Sequence, residues 1–234
     1  MDDHGAPTIA APPGPDAPLD AEELRVLAAL IEKAATVPDS YPLTLNALRT
    51  ATNQSTSRDP VVSYDDTTLL AALQRLKDRR LVRFVHAAQG ARSTRYRHVL
   101  DERLELDAAA LAVLAVLVLR GPQTTTELRT RTERAHRFDS VDAVDATLAE
   151  LARRDPPLVV TLPRQPGQKE PRHAHLLGGP VDADALAAAA APAAPRGGLA
   201  DRVAALEARL ERLEALLGVD ADADADDADP DADA

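Results

Sequence analysis

The chain has no cysteine, no tryptophan, one methionine, and only three tyrosines and two phenylalanines in 234 residues. Without thiols there can be no disulfide, no thiolate metal site and no cysteine nucleophile. With aromatics at 2 %, the core must be built from leucine, valine and alanine, which suits helices better than sandwiches or barrels. Long apolar runs are missing too: the longest covers residues 108–119, well short of the roughly 20 residues that a membrane span needs. The acidic, Pro-rich start does not read as a signal peptide, so a cytoplasmic location without a membrane partner is expected. There is also no phosphate-binding Gly loop, no nucleophile elbow and no carboxylate pair in a pocket-forming context. Neither an enzyme activity nor a cofactor is expected.

What is present is an ordinary apolar fraction of 45 % and a net charge of −11 that is unevenly spread. Residues 1–19 carry −3 and residues 181–234 carry −10, which leaves +2 for residues 20–180. The acidity lies in the ends, so the overall charge does not exclude an anionic partner.

Residues 1–18 form a Pro/Ala/Gly leader without periodicity, read as disordered. Asp20, with Glu23 three residues on, predicts a capped helix whose buried face is Leu24, Leu27, Ala28 and Ile31. Thr44 caps a second helix to about Asn53, and Asp65 or Asp66 opens a third with Leu69, Leu73 and Leu76 inward. Two strand-like runs follow, residues 81–87 and 94–100, around a Gln89-Gly90 tip. The same order then returns. Asp107 caps a helix stopped by Gly121-Pro122, Thr124 and Glu127 form a second capping box, Ser140 caps a third helix, and residues 158–162 and 172–177 make a hairpin. Leu48-Arg49-Thr50 matches Leu128-Arg129-Thr130, and Arg97-His98-Val99-Leu100 matches Ala174-His175-Leu176-Leu177. A duplicated winged-helix unit accounts for all of this. The expected organisation is winged-helix domains at 19–105 and 106–179, an Ala/Pro linker at 180–198, a coiled-coil helix at 199–218 and an acidic disordered tail at 219–234. The fold class is mainly α with small β-hairpins, an α+β architecture.

The coil rests on Leu199, Val203, Leu206, Leu210, Leu213 and Leu217, spaced alternately four and three apart. In a parallel dimer Arg202 would face Glu207, and Arg209 would face Glu214, of the second chain. Antiparallel and intramolecular packings are the alternatives, since fewer than three heptads are marginal alone.

Several ordered motifs carry a family resemblance. Leu30-Ile31-Glu32-Lys33, Tyr41-Pro42-Leu43, Asn53-Gln54 with Arg58-Asp59-Pro60-Val61, Leu119-Arg120-Gly121-Pro122-Gln123-Thr124, Glu127-Leu128-Arg129-Thr130-Arg131 and the stretch 162–170 closely resemble the bacterial YceH-like family. The resemblance runs from about Leu19 to Gly179 and implies tandem winged helices without an established biochemical role. One departure is Ser55, where relatives often carry lysine; it argues against the adjoining loop as a phosphate clamp.

A winged helix usually meets DNA with its third helix in the major groove and its hairpin on the backbone. Here the first third helix opens with Asp65-Asp66 and the second carries Asp142, Asp145 and Glu150 outward, so phosphate contact is expected elsewhere. The candidates are Arg92, Arg95 and Arg97 in the first wing, Arg129, Arg131, Arg134 and Arg137 after the second capping box, and Arg164, Lys169 and Arg172 in the second wing. Local ion pairs with Glu127, Glu133 and Glu170 are the alternative use of these side chains. Gln54 and Arg58 either join the phosphate-contacting set or tie down their loop, for which Asn53 and Asp59 are already suited. His173-Ala174-His175 lacks a third ligand, so no metal is expected. Glu32-Lys33 reads as a helix-end salt bridge with the Tyr41 hydroxyl as partner. Two partner classes follow, double-stranded DNA or another protein, with homo-oligomerisation through residues 199–217.

The heptad seam predicts that the whole chain and a chain ending at Gly179 differ in oligomeric mass by light scattering. Equal monomeric masses would reject the dimerising coil.

Overall fold

A computed structural model of the chain describes residues 17–86, 93–164 and 168–181. The coil positions Leu199, Val203, Leu206, Leu210, Leu213 and Leu217, and the wing residue Arg92, lie outside the described residues. Among those described, seven α-helices and two small antiparallel sheets form an α+β architecture. No helix among them is long and apolar enough to cross a membrane.

Side-chain capping starts six of the seven helices. In the first repeat, α1 (Ala21–Thr36) begins at a reciprocal box. Glu23 donates its backbone N–H to Asp20 at 2.8 Å, and the Asp20 N–H donates to the Glu23 carboxylate at 3.0 Å. Thr44 caps α2 (Leu45–Thr52) and Asp65 caps α3 (Asp66–Asp78). In the second repeat Asp107 caps α5 (Ala108–Arg120), Thr124 and Glu127 form the box of α6 (Thr125–Thr132), and Ser140 caps α7 (Val141–Ala152). Each of these side chains satisfies a backbone donor that the first helical turn leaves orphaned. The short α4 (Leu100–Leu104), with no side-chain cap, connects the repeats.

The hairpins also correspond. Strands β2 (Val82–Val85) and β3 (Arg95–His98) pair so that Val82 faces His98. Strands β4 (Val159–Leu162) and β5 (Arg172–His175) pair so that Val159 faces His175. In the first repeat β1 (Leu43–Thr44) adds a third strand through Leu43 and Tyr96. In the second the corresponding contact is a single bridge between Gln123 and His173. At a spacing of 80 residues, Leu48 and Leu128 are both fully buried, and so are Thr52 and Thr132. The Thr52 hydroxyl donates to the Leu48 carbonyl at 3.1 Å, and that of Thr132 to the Leu128 carbonyl at 2.8 Å.

Each repeat builds its own apolar cluster, one around Leu27, Leu48, Leu73 and Leu76, the other around Leu114, Leu128, Leu148 and Leu151. The clusters meet. Ala115 of α5 belongs to the first, while Leu104, Leu106 and Leu177 pack against both. The equivalent first helices, α1 and α5, lie against each other. Because Leu48 and Leu128 occupy matching sites, Leu48→Ala and Leu128→Ala should each lower unfolding free energy by about 2–5 kcal/mol in urea titrations.

Candidate phosphate-contacting surface and the seam beneath it

The polar loop after α2 proves to be a structural knot. Arg58, 6 % exposed, donates to the Ala51 carbonyl at 2.9 Å, to the Gln54 side chain at 2.7 Å, and to both carboxylate oxygens of Glu32 at 3.2 and 2.6 Å. Its donors are committed, so Arg58 leaves the set of surface candidates, and Gln54, which also accepts from Lys33 at 3.2 Å, goes with it. Asn53 clamps the Tyr64 backbone from both sides, at 2.8 and 2.9 Å. The Asp59 N–H donates to the Leu119 carbonyl at 2.8 Å, tying the loop to the second repeat. A second buried arginine, Arg25, donates to the carbonyls of Thr52 and Pro60. Burial and then Arg58 push its pKa down. Sequence reasoning missed Arg25 because a charge two residues past a capping box reads as solvated surface. Its one anomaly was a place beside the apolar stripe.

Burial pushes the Glu32 carboxyl up, but hydrogen bonds and charge from Arg58, with Lys33, hold it below the usual carboxylate range. The expected Glu32–Lys33 pair is present at 3.1 Å. The Tyr41 hydroxyl is not its partner: it accepts from the His98 N–H at 2.7 Å, because the turn carries Tyr41 under the first hairpin.

The remaining arginines divide by whether a carboxylate holds them. Arg97 and Arg83 both pair with Glu102, and Arg95 donates to the Pro42 carbonyl at 2.8 Å. Glu127 holds Arg131 at 3.2 Å and Arg172 at 3.1 Å. Arg129 is exposed and, among the described residues, donates only to the Asp139 carbonyl, at 3.4 Å. Arg134, Arg137, Arg164 and Lys169 are exposed, without an ion-pair partner among the described residues.

The three strand histidines, His98, His173 and His175, are buried or half-buried. The His173 ring lies between the hydroxyls of Thr125 and Thr161, at 3.3 and 3.2 Å. Burial lowers the pKa of His175 to about 4. His98, also lowered by burial, sits 3.3 Å from Asp101. No group of three His, Asp or Glu side chains among the described residues is placed to hold a metal ion.

Breaking a buried pair leaves its partner charge unmatched, so Arg58→Met should cost about 3–5 kcal/mol near neutral pH. The sign of the pH effect follows from Glu32. Its carboxyl titrates lower in the folded chain than in the unfolded one, so the pair stabilises above the ordinary carboxylate value and fades as pH falls through the folded value. The gap between wild type and variant in urea midpoints should therefore narrow on acidification.

A family described as "Protein of unknown function, DUF480" matches residues 19–168, which include parts of both repeats. A UPF0502 protein of Geobacter sulfurreducens is 50 % identical over 194 residues, covering 82 % of this chain and 88 % of the relative. One from Azoarcus sp. is 48 % identical over 206 residues, covering 87 % and 91 %. One from Geotalea uraniireducens is 54 % identical over 157 residues, covering 67 % and 71 %. The YceH-like resemblance of the motifs is consistent with these matches. With its two repeats reached by the family match and its relatives covered over most of their length, the chain belongs to the DUF480 (UPF0502) family of uncharacterised bacterial proteins.

Proposed function

We propose that the chain is a non-enzymatic pair of winged-helix units acting as a DNA-associated regulator, anchored on backbone phosphates and not by base reading. The observation that carries this reading is the sorting of its arginines. Glu102 and Glu127 each engage two of them and offset half of their charge. Arg129 and Arg137, at α6 and the turn after it, and Arg164 and Lys169 at the second hairpin, are exposed without a carboxylate partner. Phosphate contacts of this kind position a protein on duplex DNA without specifying sequence. Major-groove reading is disfavoured by the outer faces of the third helices. Asp66 engages Arg49 at 3.1 Å, and Asp142, Asp145 and Glu150 are exposed on α7. Assembly through residues 199–217 would double the number of phosphate contacts.

Those same faces favour a second reading, a protein-interaction scaffold. Leu70 is 44 % exposed on α3, and exposed Ala146 and Ala149 lie among the α7 carboxylates. Apolar side chains ringed by acid suit a basic protein surface better than DNA.

Duplex-DNA binding by the whole protein should be measurable at low salt and weaken steeply as salt rises. An Arg129→Ala/Arg137→Ala variant should bind less tightly, with a salt slope smaller by about 2, near 0.9 per lost contact. Absence of wild-type binding at low salt would remove the DNA reading and leave the scaffold.

A further inference from the structure

The seam between the repeats holds more positive charge than its own carboxylates balance. A cavity of about 120 Å³ opens where the C-terminal end of α1 meets α5 and the end of α6. Lys33, Arg120, Arg131 and Arg134 line it, against a single lining carboxylate, Glu32. That carboxylate is already occupied, since Arg58 engages both of its oxygens from behind, at 3.2 and 2.6 Å. Lys33 shares one of them and also donates to Gln54. Arg131 reaches Glu127, but Glu127 is divided between Arg131 and Arg172. Arg120 donates to a neutral partner, the Ser57 hydroxyl. Arg134 has no partner among the described residues.

Four cations held on the walls of one recess repel each other, and partial removal of water strengthens that repulsion. Arg120 registers the field: burial and then Arg131 lower its pKa, and Arg58 lowers it further against the opposing pull of Glu32. The floor is made by small apolar residues, Ala112, Ala115 and Val116, which leave the space open.

We propose that this cleft binds a small-molecule oxyanion, a phosphate or carboxylate group, between Arg131 and Arg134, with Arg120 and Lys33 supplying further charge. The size fits. At about 30 Å³ per water the cavity holds roughly four waters, enough for one oxyanion group. A neighbouring cavity of about 220 Å³ shares Glu32, Ala112, Ala115 and Ala135 with it. Ile31, Ala34 and Leu111 also line that space, together with His98 and Asp101, which gives room for a ligand body that is mostly apolar. Arginine suits the task because its planar fork meets phosphate or carboxylate with two parallel hydrogen bonds. The walls come from α1 of one repeat and α5 and α6 of the other, so an occupant touches both. None of the residues that carry the DNA reading, Arg129, Arg137, Arg164 and Lys169, lines the cleft.

The test uses the full chain, with inorganic phosphate, pyrophosphate and citrate as probes, by calorimetry and thermal unfolding at ionic strength held constant with sodium chloride. At least one probe should bind saturably and raise Tm. Arg131→Gln/Arg134→Gln should weaken that binding about tenfold or more, the scale of two charge-assisted contacts. Arg164→Gln/Lys169→Gln should leave it unchanged, whether or not DNA binding is lost in that variant. Should the double cleft variant fail to fold, Arg134→Gln alone, which removes no contact among the described residues, provides the same comparison. No saturable response to any of the three probes, or an equal response in the cleft variant, would overturn the proposal.

Discussion

The buried Arg58 guanidinium is the interaction on which the joining of the repeats depends. It binds the end of α1 through Glu32, the end of α2 through the Ala51 carbonyl, and its own loop through Gln54 and the Ser57 carbonyl. Because the loop is fixed, Ser57 can receive Arg120, and the Asp59 N–H can reach the last turn of α5. A charge taken out of water stabilises only when its geometry is complete, and here nearly every donor is matched. Arg25 performs a parallel task about two turns further back on α1, holding the carbonyls on either side of the same loop.

Fixing that loop also decides where charge is left over. Glu32 is consumed internally, Glu102 is divided between Arg83 and Arg97, and Glu127 between Arg131 and Arg172. Exposed pairs of this kind add little stability. Their effect is electrostatic: Glu102 offsets one of the two charges of Arg83 and Arg97, while Arg95 meets a neutral carbonyl. Further charge without a carboxylate partner among the described residues lies on the second repeat, at Arg129, Arg137, Arg164 and Lys169, and in the recess at the seam, at Arg120 and Arg134; the DNA reading and the cleft rest on these side chains.

Much of this architecture was legible in the sequence because caps and hydrophobic periods are local signals. Asp20, Thr44, Asp65, Asp107, Thr124 and Ser140 each start the helix that their spacing predicts, and the matching of His98 with His175 holds in the strand register. What could not be read was anything dependent on which helices face each other. The α1–α5 contact, the internal fate of Arg58 and Arg25, and the cleft beside Lys33 all arise from long-range packing. The short helix α4 is absent from the sequence reading, in which Leu100 closes a strand-like run; in the structure Leu100 opens a helical turn. For the arginines, sequence could supply the set but not the sorting, because a pair such as Arg172 with Glu127 spans distant parts of the chain.

The contact of α1 with α5 has an implication for descent. These are corresponding elements of the two copies, and a meeting of like with like is the mark of an isologous interface. A single-copy ancestor pairing through its first helix would have formed the same junction between separate molecules. Once both partners share one polypeptide they no longer have to stay alike. The two copies differ at one such place: Leu43 and Tyr96 meet in the first, and in the second Gln123, a buried amide bridged to His173, donates to the Arg120 and Gly121 carbonyls at the end of α5.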